Sequence, residues 1–374
     1  MKNNFTCIHY ISKFLPITEV WMYNQVRFIK NFKPVVISRS GTNSNLFPFE
    51  PKYSLKENGD FTYWLNIFIS RLIGYIPYFY LVCKKENVKI LHVHFGYNGI
   101  KFINLKKVLR VPMVCSFYGT DAFSFPFKRK SNLKKLKKLF INADKILVLG
   151  PYMKKSLIEL GCPAEKIIIH HLGIEVRKIR FKKRQLPVNR PIRFLVASSF
   201  VEKKGIDICL KALAQVINLF DFHVDIIGDG VLRDVIKSII TDLNMLNYVT
   251  LHGYKDYKYM INLAYSCDIF LQASRTTNQN DKEGTPMVFV DMMATGMPVI
   301  STKHSDIPEI IDDQINGYLA EENSIDSFKT KILKLINNKE YIPTMSENCR
   351  EKVVKKFNAE TQSIRLEKIY QSLI

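Results

Sequence analysis

Cysteine pairs at ligand spacing are missing from this chain. Its seven cysteines are odd in number and scattered over 374 residues, with no Cys-x-x-Cys among them. That points to neither zinc ligation nor a disulfide framework, and a reducing cytoplasm is the simplest compartment. No secretory leader is visible, since Met1-Lys2-Asn3-Asn4 leads into Phe5-Thr6-Cys7-Ile8-His9-Tyr10-Ile11, which reads as a first strand. An unbroken run of ~20 apolar residues, the length of a membrane span, is also lacking. The nearest approach, Phe61 to Cys83, is interrupted by Asn66, Ser70, Arg71, Gly74 and Pro77, so a buried or interfacial helix is expected there. There is no short-period repeat and no low-complexity linker. Neither an RNP-type aromatic pattern nor paired zinc ligands stand out, so nucleic acid is not an expected partner. Acids are scarce: 34 Asp and Glu against 55 Lys and Arg leave a formal net charge of +21. That balance bears on partners rather than fold, and by itself suits nucleic acid, anionic lipid or a phosphorylated substrate, with general lysine enrichment as the alternative.

What is present is apolar sequence in the right rhythm. At 47% hydrophobic content the chain can bury two cores. Short apolar runs alternate with helical stretches, which argues for parallel sheets in an α/β protein. Strands are expected at Cys7–Ile11, Pro34–Ile37, Ile90–Val93, Pro112–Phe117 and Lys145–Leu149. The basic segment 176–190 reads as a linker or exposed connection. Arg193–Ala197, Val224–Ile227, Val249–Leu251 and Ile269–Leu271 then begin a second α/β domain. Ligands of such sheets bind at the carboxyl ends of the strands.

The densest signal is Glu283-Gly284-Thr285-Pro286-Met287, followed by Asp291, Gly296 and Pro298. Thr285 can cap a helix and Pro286 suits its first position, while Gly296 and Pro298 stop it. The helix between is almost wholly apolar yet carries Asp291, a charge that is costly when buried without partners. Glu283 lies just ahead of a helix N-terminus, where free N–H groups and the dipole favour anions such as phosphate. Two acids flanking such a helix start fit a ligand with both hydroxyls and phosphates, and a nucleotide sugar is one.

This stretch resembles the E-x7-E signature of retaining glycosyltransferases of family 4, and the resemblance continues through His304-Ser305-Asp306-Ile307-Pro308-Glu309 and Asn316-Gly317-Tyr318. Upstream, Glu202-Lys203-Lys204-Gly205 is similar to the family's phosphate-lysine loop and Gly228-Asp229-Gly230 to its glycine turn. Phe14-Leu15-Pro16-Ile17-Thr18-Glu19 is similar to a segment of exopolysaccharide members of the colanic-acid type. The resemblance implies an α/β protein of GT-B architecture, two Rossmann-like domains with the active site in the cleft between them. It implies an acceptor domain over 1–180, a nucleotide-sugar domain over 190–355, and a C-terminal helix, 356–374, packing back on the first domain. Glu283 would contact donor-sugar hydroxyls, Asp291 the ribose, and Lys204 the leaving diphosphate. Gly284, Thr285, Pro286, Met287, Gly205 and Gly228 would frame the donor. No metal and no further cofactor are implied.

Three positions depart from the family. Asp291 stands for a second glutamate, Ser199 for an arginine that would face the diphosphate, and Tyr118 of Tyr118-Gly119-Thr120-Asp121 for a histidine. Tyr118 can donate a hydrogen bond but cannot copy an imidazole. His94, two residues along a strand from His92, either reaches the acceptor or is a hydrogen-bonded core histidine. Glu19, with Thr18, either binds the acceptor or caps the helix that follows; Asp121 is a further acceptor-side candidate. Between Lys128 and Phe140, Leu133, Leu136 and Phe140 fall on one helical face and Lys134, Lys135, Lys137 and Lys138 on another. Such a helix suits an anionic membrane surface, or is a solvated face over the core. The expectation is a cytoplasmic, membrane-peripheral glycosyltransferase that moves a sugar from a nucleotide-sugar donor to a polyprenyl-diphosphate-linked oligosaccharide of a surface polysaccharide. The alternatives are a soluble acceptor, a basic binding protein that docks on membranes or nucleic acid without chemistry, and a degenerate, inactive relative.

Overall fold

Val, Ile and Phe crowd the short apolar runs, where burial on both faces of a parallel sheet suits branched and aromatic side chains. In the computed structural model, which describes residues 5–15, 20–43 and 45–374, each expected run is a strand. The chain divides into two units, Met1–Ile174 with Asn358–Ile374, and Glu175–Phe357.

The first unit is built on β1 (Phe5–Tyr10), β2 (Phe32–Ser38), β3 (Lys52–Ser54), β4 (Val88–His94), β5 (Met113–Ser116), β6 (Lys145–Val148) and β7 (Ile167–Ile169). They form one sheet in the order β3-β2-β1-β4-β5-β6-β7, every pair parallel. The order reverses between β1 and β4, the switch point at which doubly wound sheets open a crevice. Its helices include α1 (Val20–Arg27), α2 (Asp60–Ile73), α3 (Pro77–Lys85), α4 (Gly96–Leu109) and α5 (Lys130–Asn142). The interrupted apolar stretch is thus two helices, α2 and α3, bent by 95° at the break. No single helix among the described residues is long and apolar enough to cross a membrane.

The lysine-rich helix α5 does not keep its apolar face for lipid. Leu136, Leu139 and Phe140 are buried, with the Phe140 ring 6.1 Å from that of Phe117, while Lys134, Lys135, Lys137 and Lys138 are exposed. The face that periodicity offered to a bilayer is filled by the core of the unit.

The second unit carries β8 (Ile192–Ala197), β9 (Phe222–Ile227), β10 (Val249–Gly253), β11 (Ile269–Leu271), β12 (Val299–Thr302) and β13 (Gly317–Ala320). Their order, β10-β9-β8-β11-β12-β13, is again all parallel and reverses between β8 and β11. Phe194, Leu210, Ile226 and Phe328 lie in its core, and α6 (Met287–Ala294) links β11 to β12. The basic segment 176–190 has little regular structure, but it is not simply exposed. Arg184 is buried and its Nη2 donates to the Ala264 carbonyl at 2.9 Å and to Thr295 Oγ1 at 3.1 Å. A guanidinium can satisfy loose carbonyls as it is buried, a role that composition does not reveal.

After this unit the chain returns to the first as α7 (Ala359–Gln371). Leu366 and Tyr370 of α7 pack into a cluster with Cys7, Ile90 and Val114.

Candidate active site

The loops that leave the second sheet at its reversal bring the acid and the lysine together. Gly205 makes this approach possible: it has φ +61°, and a Cβ there would lie 1.8 Å from the Ala273 carbonyl oxygen, so only glycine fits. The Lys204 Nζ then lies 2.5 Å from Glu283 Oε1. Lys203 pairs with Asp281 at 3.0 Å, beside them. Burial would push the Glu283 carboxyl up, but Lys204 and then Lys203 hold it below the usual glutamate range, so it is a carboxylate at neutral pH.

Behind Glu283 stands a chain that the sequence did not announce. The Glu283 backbone N–H donates to His304 Nε2 at 3.0 Å, and His304 Nδ1 lies 2.9 Å from Glu322 Oε2. Because Nε2 accepts, the ring proton sits on Nδ1 and points at Glu322. Glu322 is fixed in turn by the Thr276 N–H, 2.5 Å from its other oxygen. His304 lies in a stretch the family resemblance covers, but no role attaches to it there. Glu322 carries no motif; its one signal is its place just past the carboxyl end of β13.

Helix α6 begins at Met287, with Pro286 as its N-cap and no side-chain cap. Thr285 therefore does not cap it, and the Thr285 hydroxyl oxygen has no protein partner among the described residues. Proline at the cap position displaces the threonine by one residue, which leaves the first N–H groups of α6 open to an anion. Gly284 and Pro286 are buried against this start. Further along, Asp291 is buried and accepts a hydrogen bond from the Tyr257 hydroxyl at 2.8 Å. Burial pushes its carboxyl up to about 7, and the Tyr257 hydroxyl works against that rise. Tyr257 was not expected from sequence. Gly228 has φ +147°, and a Cβ on it would meet the Ser198 carbonyl oxygen at 1.9 Å. Ser199 is exposed in the loop after β8.

The switch point of the first unit is of another kind. His9 faces His92 across the β1–β4 register, and His94 follows on the same side of β4. All three are fully buried. His94 Nε2 lies 3.0 Å from His9 Nδ1, and His94 Nδ1 lies 2.6 Å from the Tyr118 hydroxyl. His92 lies 2.6 Å from the Tyr370 hydroxyl and 2.7 Å from Ser116 Oγ, while His9 Nε2 is 3.3 Å from Tyr370. Their ligand atoms lie within 4.8 Å of one another, a separation that a metal could bridge. Each of the six ring nitrogens already faces a hydrogen-bond partner, so a protein network accounts for the cluster without a metal. Burial lowers all three imidazoles, His9 to about 3, and keeps them neutral.

Of the residues expected to face an acceptor, Thr18 and Glu19 lie outside the described residues. Asp121 is fully buried: Oδ1 accepts from the Tyr118 and Gly119 N–H groups at 2.9 and 3.0 Å, and Oδ2 from Gly96 at 2.8 Å. Enclosed in this way, Asp121 holds the loop that carries Tyr118 and presents nothing to an acceptor. His94, equally enclosed, positions the Tyr118 hydroxyl. The reason is the same in both cases, since a loop folded over a strand end needs its own N–H and hydroxyl groups satisfied first.

Comparison with known proteins gives the same family from several directions. The family described as "Glycosyl transferases group 1" matches residues 177–352, and "Glycosyltransferase Family 4" matches residues 30–178. The amylovoran biosynthesis glycosyltransferase AmsK of Erwinia amylovora is 33% identical over 293 residues, 76% of this chain and 70% of that protein. The UDP-Gal:alpha-D-GlcNAc-diphosphoundecaprenol alpha-1,3-galactosyltransferase of Escherichia coli is 23% identical over 329 residues, 79% of this chain and 78% of that protein. Among solved structures, Anabaena Alr3699/HepE in complex with UDP superposes with a TM-score of 0.80 at 17% identity, covering 99% of this chain and 100% of that one. The last likeness is one of fold.

Proposed function

The chain belongs to the family 4 glycosyltransferases, enzymes of GT-B fold that use nucleotide-sugar donors, and on that footing we propose that it extends a lipid-linked glycan in the assembly of a surface polysaccharide. The observation that carries this reading is the Lys204–Glu283 pair beside the uncapped start of α6, with Asp291 on the same helix. An ammonium and free N–H groups suit the leaving diphosphate, and a carboxylate suits sugar hydroxyls. When donor enters, Lys204 turns from Glu283 to the diphosphate and Glu283 is freed for the sugar. Ribose hydroxyls donating to Asp291 would favour its charged form, so nucleotide binding would release a proton near neutral pH. Lys203, whose charge also reaches Glu283, would have to leave Asp281 to supply the second cation that Ser199 cannot.

In the transfer the bond from the anomeric carbon to the diphosphate oxygen breaks and a bond to the acceptor hydroxyl oxygen forms on the same face. The leaving diphosphate takes the hydroxyl proton, which leaves the freed Glu283 carboxylate to hold sugar hydroxyls. AmsK is named for amylovoran biosynthesis and the E. coli relative for a diphosphoundecaprenol acceptor. These names support a polysaccharide product and a polyprenyl-diphosphate carrier. No cofactor enters the mechanism. The test is mass spectrometry of the nucleotide sugar that co-purifies, followed by NMR of the product's anomeric configuration. A protein that binds no nucleotide and consumes no donor from a UDP- and GDP-sugar panel sinks the reading, and an inverted product sinks its stereochemistry.

A further inference from the structure

Helix α2 has fourteen residues and not one of them is buried. Phe61 is 81% exposed, Leu72 74%, Trp64 65% and Phe68 61%. Their spacing (61, 64, 68, 72) sets them in one stripe along the helix. Leu81, on α3, is exposed as well. Single exposed apolar residues are ordinary, but a contiguous stripe of large ones marks an interaction surface. We propose that this stripe is where the protein docks on an anionic bilayer, with α2 lying in the plane of the headgroups.

The occupant follows from charge, composition and length. The surroundings of the stripe are basic on balance: Lys56 before α2, Arg71 in its last turn and Lys84 and Lys85 at the end of α3 stand exposed against exposed Glu57, on a chain of net charge +21. Asp60, at the helix start, is the one acid on α2. Tyr63, Trp64, Tyr75 and Tyr80 add rings with polar tips, which favour the headgroup level. At 1.5 Å per residue α2 is about 21 Å long, short of a hydrocarbon core of ~30 Å. It cannot gain length from α3, which leaves it at 95° and whose Phe79, Val82 and Cys83 are buried in the unit. A short amphipathic helix with a basic border, tethered at right angles to a buried one, lies on a membrane and does not span it. This separates the roles of the two helices that the sequence put forward. α5 has charge without a free apolar face, and α2 has the apolar face.

The proposal deepens the reading of a lipid-linked acceptor by naming the surface that meets lipid, and its test uses neither donor nor acceptor, so the two can fail separately. The full-length protein is mixed with phosphatidylcholine vesicles, or with vesicles of phosphatidylcholine and phosphatidylglycerol, and floated on a density gradient. Wild type should float with the anionic vesicles, less so in high salt. Changing Trp64, Phe68 and Leu72 together to Ser should weaken flotation by about tenfold or more, because insertion scales with buried apolar area. The three side chains are exposed, so UDP binding and the thermal unfolding midpoint should be unchanged. Changing Lys134, Lys135, Lys137 and Lys138 to Gln should alter flotation only a few-fold, as loss of general attraction. The proposal is overturned if wild type floats with neither vesicle, if the Ser variant floats like wild type, or if the Gln variant alone loses binding. It is also overturned if light scattering without lipid shows a dimer that the Ser variant splits, since the stripe then covers a second copy of the chain.

Discussion

At the strand reversal of the second unit a lysine and a glutamate meet at 2.5 Å. At the same topological point of the first unit, three neutral histidines share tyrosine and serine hydroxyls in full burial. Both sheets open a crevice there for the same reason, since crossovers leave in opposite directions from adjacent strands. What fills each crevice differs because the loops differ. In the second unit a glycine lets backbone approach backbone and delivers charged side chains. In the first, side chains on the strands themselves turn inward and satisfy one another. Equal topology therefore says where a site can be and nothing about its chemistry.

The comparison breaks most directly at Glu283. Glu283→Gln should lower kcat at least about a thousandfold, on the order of 4 kcal/mol of barrier, while the circular dichroism spectrum stays that of wild type. Residual transfer within a few-fold of wild type would mean that the charged crevice is structural. Lys204→Ala should cost about 2–4 kcal/mol of barrier, read as kcat with saturating donor, and an unchanged rate would shift the role to Lys203.

Asp291 sharpens the contrast through pH. Its carboxyl is raised from 3.8 to about 7, so the folded state binds its proton more tightly than the unfolded state. Stability from this group is present at low pH and is lost as pH rises between those values. Asp291→Asn should thus be more stable than wild type above pH 7, by on the order of 1–3 kcal/mol in thermal unfolding, with the gap closing towards pH 4. The same variant should bind UDP more weakly by calorimetry. Equal affinity would make Asp291 a structural acid.

The first unit should respond to pH with the opposite sign. Its buried histidines are lowered, His9 to about 3 from 6.5, so the unfolded state takes up protons first and stability falls as pH drops through that window. Tyr370→Phe removes a hydroxyl shared by His9 and His92, and should cost about 1–3 kcal/mol in denaturant unfolding while leaving kcat within a few-fold. A large loss of kcat at unchanged stability would instead make the histidine network part of the chemistry.

Strand positions and both parallel sheets were legible in the chain, because apolar period, glycines and proline act locally and each leaves its mark within a few residues; the resemblance grouped Glu283 with the Lys204 loop at one site, and their ion pair came only from the fold. Thr285 misled by one position because proline could serve as the cap itself. Glu322, Tyr257 and the Arg184 contacts carry no local mark: their partners lie 18, 34 and, for Arg184, 80 and 111 residues away. The lysines of α5 and the aromatics of α2 look alike as patterns, each an amphipathic stretch with basic neighbours. Periodicity specifies that a helix has an apolar face; whether that face meets the core or the solvent depends on what the rest of the chain sets against it. For α5 that was Phe117 and its neighbours; α2, among the described residues, packs chiefly on the adjoining helix α3 and the turn before it, and its stripe stays exposed. The sequence by itself determined the elements, the family and the chemical groups on offer. Tertiary structure decided which of those groups are buried, charged and within reach of one another, since burial and distance belong to the packed chain and to no segment of it.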